Sequence, residues 1–153
     1  MNRFLLDVNA LLALLDPMHV HHDAAHQWYE KSSPLRILTC SHVENGVIRV
    51  ASQPKYPNFL GTSNRVREVL RAFVLKVKAE SCVRDVSLLD DEILLQPGSL
   101  TPPRVSDLYL LALAAVNGAR FATFDTRIPA EAVTEGLATI EMIPVTITSG
   151  EGE

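Results

Sequence analysis

The sequence contains no apolar run of the roughly 18 residues that a bilayer-crossing helix needs. Phe4-Leu5-Leu6 stops at Asp7, and the longest later run, Leu108 to Val116, is too short. A charged start leading through an apolar stretch to a small-residue cleavage site is also missing, so the expected setting is the cytoplasm, with no membrane contact. Cysteine is scarce: Cys40 and Cys82 cannot build a disulfide framework and read as reduced, buried, small apolar side chains. Glycine (7) and proline (9) are too few among 153 residues for a fibrous or extensively disordered chain.

What is present is apolar content, 47% of the residues, enough for one core and one domain. Residues 1–148 are expected to form that domain, with 149–153 as a flexible tail. A net charge of −4 speaks against a generally basic, polyanion-binding surface. Its distribution is uneven, because Arg65, Arg67, Arg71, Lys76 and Lys78 are accompanied by a single acid, Glu68. This basic segment, Arg65 to Lys78, can hold a polyanion locally, although a solvated helix face accounts for the same pattern.

Hydrophobic periodicity orders the chain as alternating strands and helices. Arg3 to Leu6 reads as a short buried strand that passes through Asp7 into the helix Val8 to Leu15, ended by Asp16-Pro17. Asp23 to Lys31 puts Ala24, Ala25, Trp28 and Tyr29 on one helical face, and Ile37 to Cys40 is a second strand. Ser41 and Glu44 have capping-box spacing ahead of a third helix ending near Pro54. After the loop Pro54 to Gly61, the stripe from Val66 to Val77 marks a fourth helix whose other face is basic. A short strand over 82–86, a brief helix over 90–95 and a second loop, Gln96 to Pro103, follow. Ser106 caps the helix Asp107 to Asn117, Gly118 closes it, and Phe121 to Phe124 and Ala138 to Val145 are the last strands. Such alternation implies a three-layer α/β/α sandwich around a mainly parallel sheet.

In open parallel sheets, ligands bind beyond the carboxyl ends of the strands. Asp7 and Asp125 each follow a strand, while Glu44 and Asp107 lie in first turns of helices that begin at the same edge. Each can act simply as a cap or oppose its helix dipole. Together they repel one another, a conflict that a hard divalent cation such as Mg²⁺ or Mn²⁺ removes. The histidines His19, His21, His22 and His26 invite a transition-metal reading, but their place at a turn and helix start is that of local structure.

Several segments resemble a PIN domain, and specifically the VapC-type ribonuclease toxins of bacterial toxin–antitoxin pairs. They are Leu6-Asp7-Val8-Asn9 with Leu11 to Leu14, Glu44-Asn45-Gly46 with Arg49-Val50, Ser106-Asp107 through Ala112, and Thr123-Phe124-Asp125. Asp16-Pro17 through His22, Ala25 and Trp28 are similar to one branch of that family. The resemblance implies that Asp7, Glu44, Asp107 and Asp125 form an acidic catalytic and metal-binding pocket, supported by Asn9 and Ser106. It further implies an RNA substrate, a homodimer, and a cognate VapB-type antitoxin that neutralises the enzyme. Many members carry another acid after the position of Asp125, where this chain has Thr126-Arg127-Ile128. A second cation is then less firmly held, and Arg127 becomes a candidate phosphate contact.

A carboxylate-held Mg²⁺ acidifies bound water and polarises a phosphoryl oxygen, so phosphodiester hydrolysis needs no His or Cys nucleophile. The expected activity is therefore a Mg²⁺- or Mn²⁺-dependent endoribonuclease. A phosphatase built on an Asp nucleophile would want an acid where Asn9 stands. The remaining alternative is a non-catalytic PIN-like module that binds RNA or protein, with the acids as helix caps.

Overall fold

The computed structural model describes residues 1–145; the tail expected at 149–153 and the end of the expected domain lie outside the described residues. Five parallel strands, β1 (Asn2–Leu6), β2 (Leu35–Thr39), β3 (Glu80–Ser81), β4 (Arg120–Thr123) and β5 (Ile140–Met142), form one sheet in the order β3-β2-β1-β4-β5. The helices are α1 (Val8–Leu15), α2 (His22–Ser32), α3 (Ser41–Ala51), α4 (Ser63–Val77), α5 (Val105–Val116) and the single turn α6 (Gly136–Thr139). The result is a PIN-like α/β/α sandwich. Because β1, β2 and β3 are laid outward before β4 returns to the other side of β1, the winding reverses between β1 and β4. Such a switch point leaves a crevice at the carboxyl ends of the two strands.

Burial explains why the central elements are apolar on every side. Phe4, Leu5 and Leu6 of β1 are buried, and so are Ala10 to Leu14, because α1 packs against α2, α3 and α4. Gly46 lets α3 approach the start of α1: a Cβ there would stand 2.6 Å from Val8 Cγ2. That contact sets the distance between the helices bearing Asp7 and Glu44. On α5, Leu108 and Leu110 to Ala114 are buried against β1, β4 and α6. Trp28 packs edge-on against Phe4, with ring centroids 4.9 Å apart, and is a core residue.

Several local expectations are corrected. The strand expected over 82–86 is the two-residue β3 at 80–81, and 82–86 is irregular chain; 90–95 forms turns rather than a helix. The last strand is only Ile140–Met142: Gly136–Thr139 takes a helical turn before it, and 143–145 is irregular chain. Cys40, not Ser41, occupies the N-cap of α3 without a side-chain bond, so no capping box forms. Helix α5 starts at Val105, continuing a 3₁₀ turn over Pro102–Arg104, which places Ser106 inside the helix rather than at its cap. Both cysteines are free, yet half-buried rather than buried. The rings of His22 and His26 meet the carbonyls of Ala13 and Leu14 at 2.8 and 3.1 Å. They satisfy open acceptors at the end of α1, which explains this histidine pair without a metal.

Asp16, at the C-cap of α1, is 1% exposed and is the best-buried carboxylate among the described residues. Its oxygens accept from the Tyr56 hydroxyl at 2.6 Å, Asn58 Nδ2 at 2.9 Å and the Met18 N–H at 2.9 Å, fastening the 54–61 loop to the end of α1. Desolvation pushes its pKa upward, but these three donors together outweigh it and hold the carboxyl below its ordinary value. Stability from this depressed pKa is present above the unfolded value near 3.9 and is lost as pH falls through the folded value. Asp16→Ala is expected to cost about 2–3 kcal/mol at pH 7, since it strands two half-buried side-chain donors and the Met18 N–H. Thermal melts should show the gap between wild type and variant narrowing as the pH is taken down towards 3.

Candidate active site

Asp7 leaves the end of β1 and caps α1, where its Oδ1 accepts from the Ala10 N–H at 2.7 Å. Its Oδ2 accepts from the Thr123 hydroxyl at 2.5 Å, and the same hydroxyl oxygen accepts from the Asp125 N–H at 3.1 Å. The fully buried Thr123 thus ties the ends of β1 and β4 together and orients both acids. Burial pushes the Asp7 carboxyl up to about 6 against the pull of those two donors, and the nearby charges of Asp107 and Asp125 add to the rise. Asp107 is also raised, chiefly by burial, with Arg104 opposing. Asp125 behaves oppositely. Desolvation raises it, but the backbone N–H and guanidinium of Arg127, with Arg104, hold it well below the usual carboxylate range.

Asp7, Asp107 and Asp125 line one cleft of about 280 Å³, together with Asn9, His42, Arg49 and Ser106. Glu44 does not line it. This residue accepts from the Thr39 hydroxyl at 2.9 Å and faces two adjoining cavities. Asn9 Oδ1 is 2.9 Å from His19 Nε2, and Ser106 Oγ is 3.1 Å from His42 Nε2. Arg127 is turned onto Asp125, with its N–H at 2.9 Å and its Nε at 3.2 Å from Oδ1.

Arg104 decides the electrostatics of the cleft. Its Nη1 lies 3.0 Å from Asp107 Oδ2 and 2.9 Å from Asp125 Oδ2, with 16% of the side chain exposed. The guanidinium stands between the two acids, as a cation bridging them would. Among the described residues no three His, Cys, Asp or Glu side chains are arranged to enclose a metal ion. The donor chemistry nevertheless fits a hard divalent cation: three converging carboxylates, an amide and a hydroxyl, all oxygen donors. In this arrangement Arg104 supplies the positive charge.

Sequence reasoning missed Arg104, Thr123, Thr39 and His42. Arg104 had a signal, since a basic residue three positions before a helix-starting acid meets it across one turn. The two threonines share another: each is the last residue of its strand, β2 or β4, and donates to an acid at the carboxyl edge.

Residues 4–133 match the model of the PIN domain family. Among curated proteins, the chain is similar to Ribonuclease VapC44 of Mycobacterium tuberculosis, 39% identical over 132 residues, or 86% of this chain and 92% of that protein. It is 38% identical to Ribonuclease VapC38 of the same organism over 122 residues, covering 79% and 84% of the two chains. Two solved structures share the fold at 18% identity. The DNA-bound VapBC of Salmonella typhimurium aligns with a TM-score of 0.58 over 94% of this chain and 100% of that one. VapBC2 of Rickettsia felis, bound to a promoter DNA fragment, aligns with a TM-score of 0.56 over 83% and 93%.

The raised Asp7 pKa means that folding disfavours its charged form. Without metal this penalty is absent below the unfolded value near 4 and complete above about 6. Asp7→Asn is therefore expected to be more stable than wild type at pH 7.5 in EDTA, by on the order of 1–2 kcal/mol, with the difference shrinking towards pH 4. Added Mn²⁺ should raise the melting temperature of the wild type and not of the variant. Arg104→Gln, which removes the competing charge, should bind Mn²⁺ about tenfold more tightly by titration calorimetry; unchanged affinity would show that Arg104 does not contend for the site.

Proposed function

Because the chain belongs to the PIN-domain family, as a VapC-type toxin, we propose that it is a Mg²⁺- or Mn²⁺-dependent endoribonuclease, held in check by a VapB-type antitoxin. The observation that carries this reading is the convergence of Asp7, Asp107 and Asp125 on one cleft at the switch point between β1 and β4. These three carboxylates would hold the cation, and Glu44 would join them from α3 by rotating out of the adjoining cavity. Such an ion, when bound, supplies the counter-charge that a phosphoryl oxygen needs and makes water nucleophilic near neutral pH.

The chain's own residues do the rest. Thr123 keeps Asp7 and Asp125 aimed into the cleft, and Asn9 and Ser106 offer polar groups beside the acids. Displaced from Asp107 and Asp125, the Arg104 guanidinium becomes available to a phosphate, as does the largely exposed Arg127. Arg67 and Arg71 of the basic helix line the groove beside Glu44, where a strand leaving the cleft can follow them. The reading takes residues 1–148 as the nuclease domain, working as a homodimer in the cytoplasm. Among the described residues, no helix is long and apolar enough to cross a membrane.

A specific observation favours the alternative of a non-catalytic binding module: Arg104 and Arg127 already neutralise Asp107 and Asp125. One experiment separates the two. Purified protein is incubated with a mixed RNA pool in Mg²⁺ or in EDTA, and the new 5′ ends are sequenced. New ends should appear only in Mg²⁺ and fall at least a hundredfold with Asp107→Asn. Cutting that survives EDTA or that substitution would remove the acidic cleft from the chemistry.

A further inference from the structure

A second cavity, of about 310 Å³, adjoins the acidic cleft between the ends of β2 and β3, the first turn of α3 and the middle of α5. His42 borders both. The size is at the small end for ligand pockets and suits one planar group rather than a length of chain. Its aromatic wall consists of His42 and Tyr109, with ring centroids 5.4 Å apart and planes inclined by 60°. Both rings are tied at their polar ends. Tyr109 donates to Asp85 Oδ1 at 2.9 Å, and His42 Nε2 is 3.1 Å from the Ser106 hydroxyl, next to Asp107.

The rim over 83–85 is irregular chain, yet it is fixed. The N–H groups of Val83 and Arg84 donate to Asn117 Oδ1 at 3.1 and 3.0 Å, and Asn117 Nδ2 donates to the Arg84 carbonyl at 2.9 Å. Asn117 Nδ2 is itself anchored on the Leu113 carbonyl at 2.8 Å. This clamp holds two opposite charges side by side. Asp85 Oδ1 takes the Tyr109 hydroxyl and the Val86 N–H; among the described residues, Oδ2 has no protein donor and the Arg84 guanidinium no carboxylate partner.

We propose that this cavity is a nucleobase subsite that takes a guanine of the single-stranded RNA whose scissile phosphate lies in the acidic cleft. The proposal rests on the ribonuclease reading above. Unpaired bases are recognised by stacking on aromatic side chains and by hydrogen bonds to their edges, and both means are present. Guanine offers two adjacent donors, N1–H and the N2 amine, to the Asp85 carboxylate, and its O6 and N7 acceptors match a guanidinium. Uracil lacks the paired donors. Cytosine offers the carboxylate an amine but has neither O6 nor N7 for Arg84, and adenine keeps N7 but puts an amine donor where guanine has the O6 acceptor.

The test uses the full chain with Mg²⁺ and short single-stranded RNAs, each identical except for guanine or inosine, which lacks the N2 amine, at one position. Wild type should cut with guanine at a fixed place relative to the new 5′ end, and inosine there should slow it about tenfold. In Asp85→Asn the guanine-to-inosine ratio should fall below about threefold, while Arg84→Gln, whose backbone clamp is intact, should lose preference for guanine over adenine. Cutting by wild type with no fixed guanine, or an unchanged ratio in a folded Asp85→Asn, overturns the subsite alone. No Mg²⁺-dependent cutting of any RNA by wild type overturns the ribonuclease reading and this inference with it.

Discussion

Asp7, Asp107 and Asp125 share a partly buried cleft, and carboxylates so placed cannot all stay ionised without positive charge among them. The molecule answers that constraint in two ways. Asp7 carries a pKa lifted to about 6, chiefly by burial and further by the charges of Asp107 and Asp125, while Asp125 stays ionised under two guanidinium groups. The same repulsion that favours a divalent cation explains why Arg104 is drawn in. An internal guanidinium keeps the acids close without the cost of bare charges, and it competes with any cation that enters.

The topology makes the convergence possible. Only β1 and β4 flank the point where the winding reverses; β4 ends on Thr123 and β1 runs directly into Asp7, both in the Asp7–Thr123–Asp125 chain of hydrogen bonds. A hydroxyl donating to one carboxylate while accepting from the backbone of another fixes their separation more tightly than packing alone. Thr123 is fully buried, so its hydroxyl has no water to turn to in place of these partners. Glu44 obeys the same logic one strand over. Thr39 at the end of β2 engages it, and that bond draws the carboxylate away from the cleft.

The long apolar periodicities of α1, α3, α4 and α5 and the buried cores of β1, β2 and β4 were legible in the sequence, because burial on a sheet demands them. The segment from Glu80 to Pro103 was not. Its pattern of Cys82, Val83 and Val86 resembles a strand, but the partners of its backbone that decide the matter are Asn117 at the C-cap of α5 and Ala132 beyond β4, far away along the chain. The capping box at Ser41 failed for a similar reason. Glu44 finds the Thr39 hydroxyl, a partner on the strand side of the turn, in place of the backbone amide its spacing suggests. For the site, the positions of the acids relative to strands and helices were readable, whereas the direction each carboxylate takes depends on Arg104, Thr39 and Thr123.

Helix α5 is where chemistry and recognition meet. Its entry through the 3₁₀ turn Pro102–Arg104 advances the helix by two residues over a start at Asp107, and this has two effects. Arg104 lies one turn before Asp107, close enough to bridge it to Asp125. Ser106 is removed from capping duty, so its hydroxyl is available to His42. The first turn then carries Ser106 and Asp107 towards the acidic cleft and the second carries Tyr109 towards the neighbouring cavity, with Asn117, the C-cap of the same helix, clamping that cavity's rim. Any shift of α5 along its axis therefore moves both cavities together. A rigid helix buried on β1 and β4 keeps a base-sized cavity in register with a phosphate-sized cleft more reliably than two independent loops would.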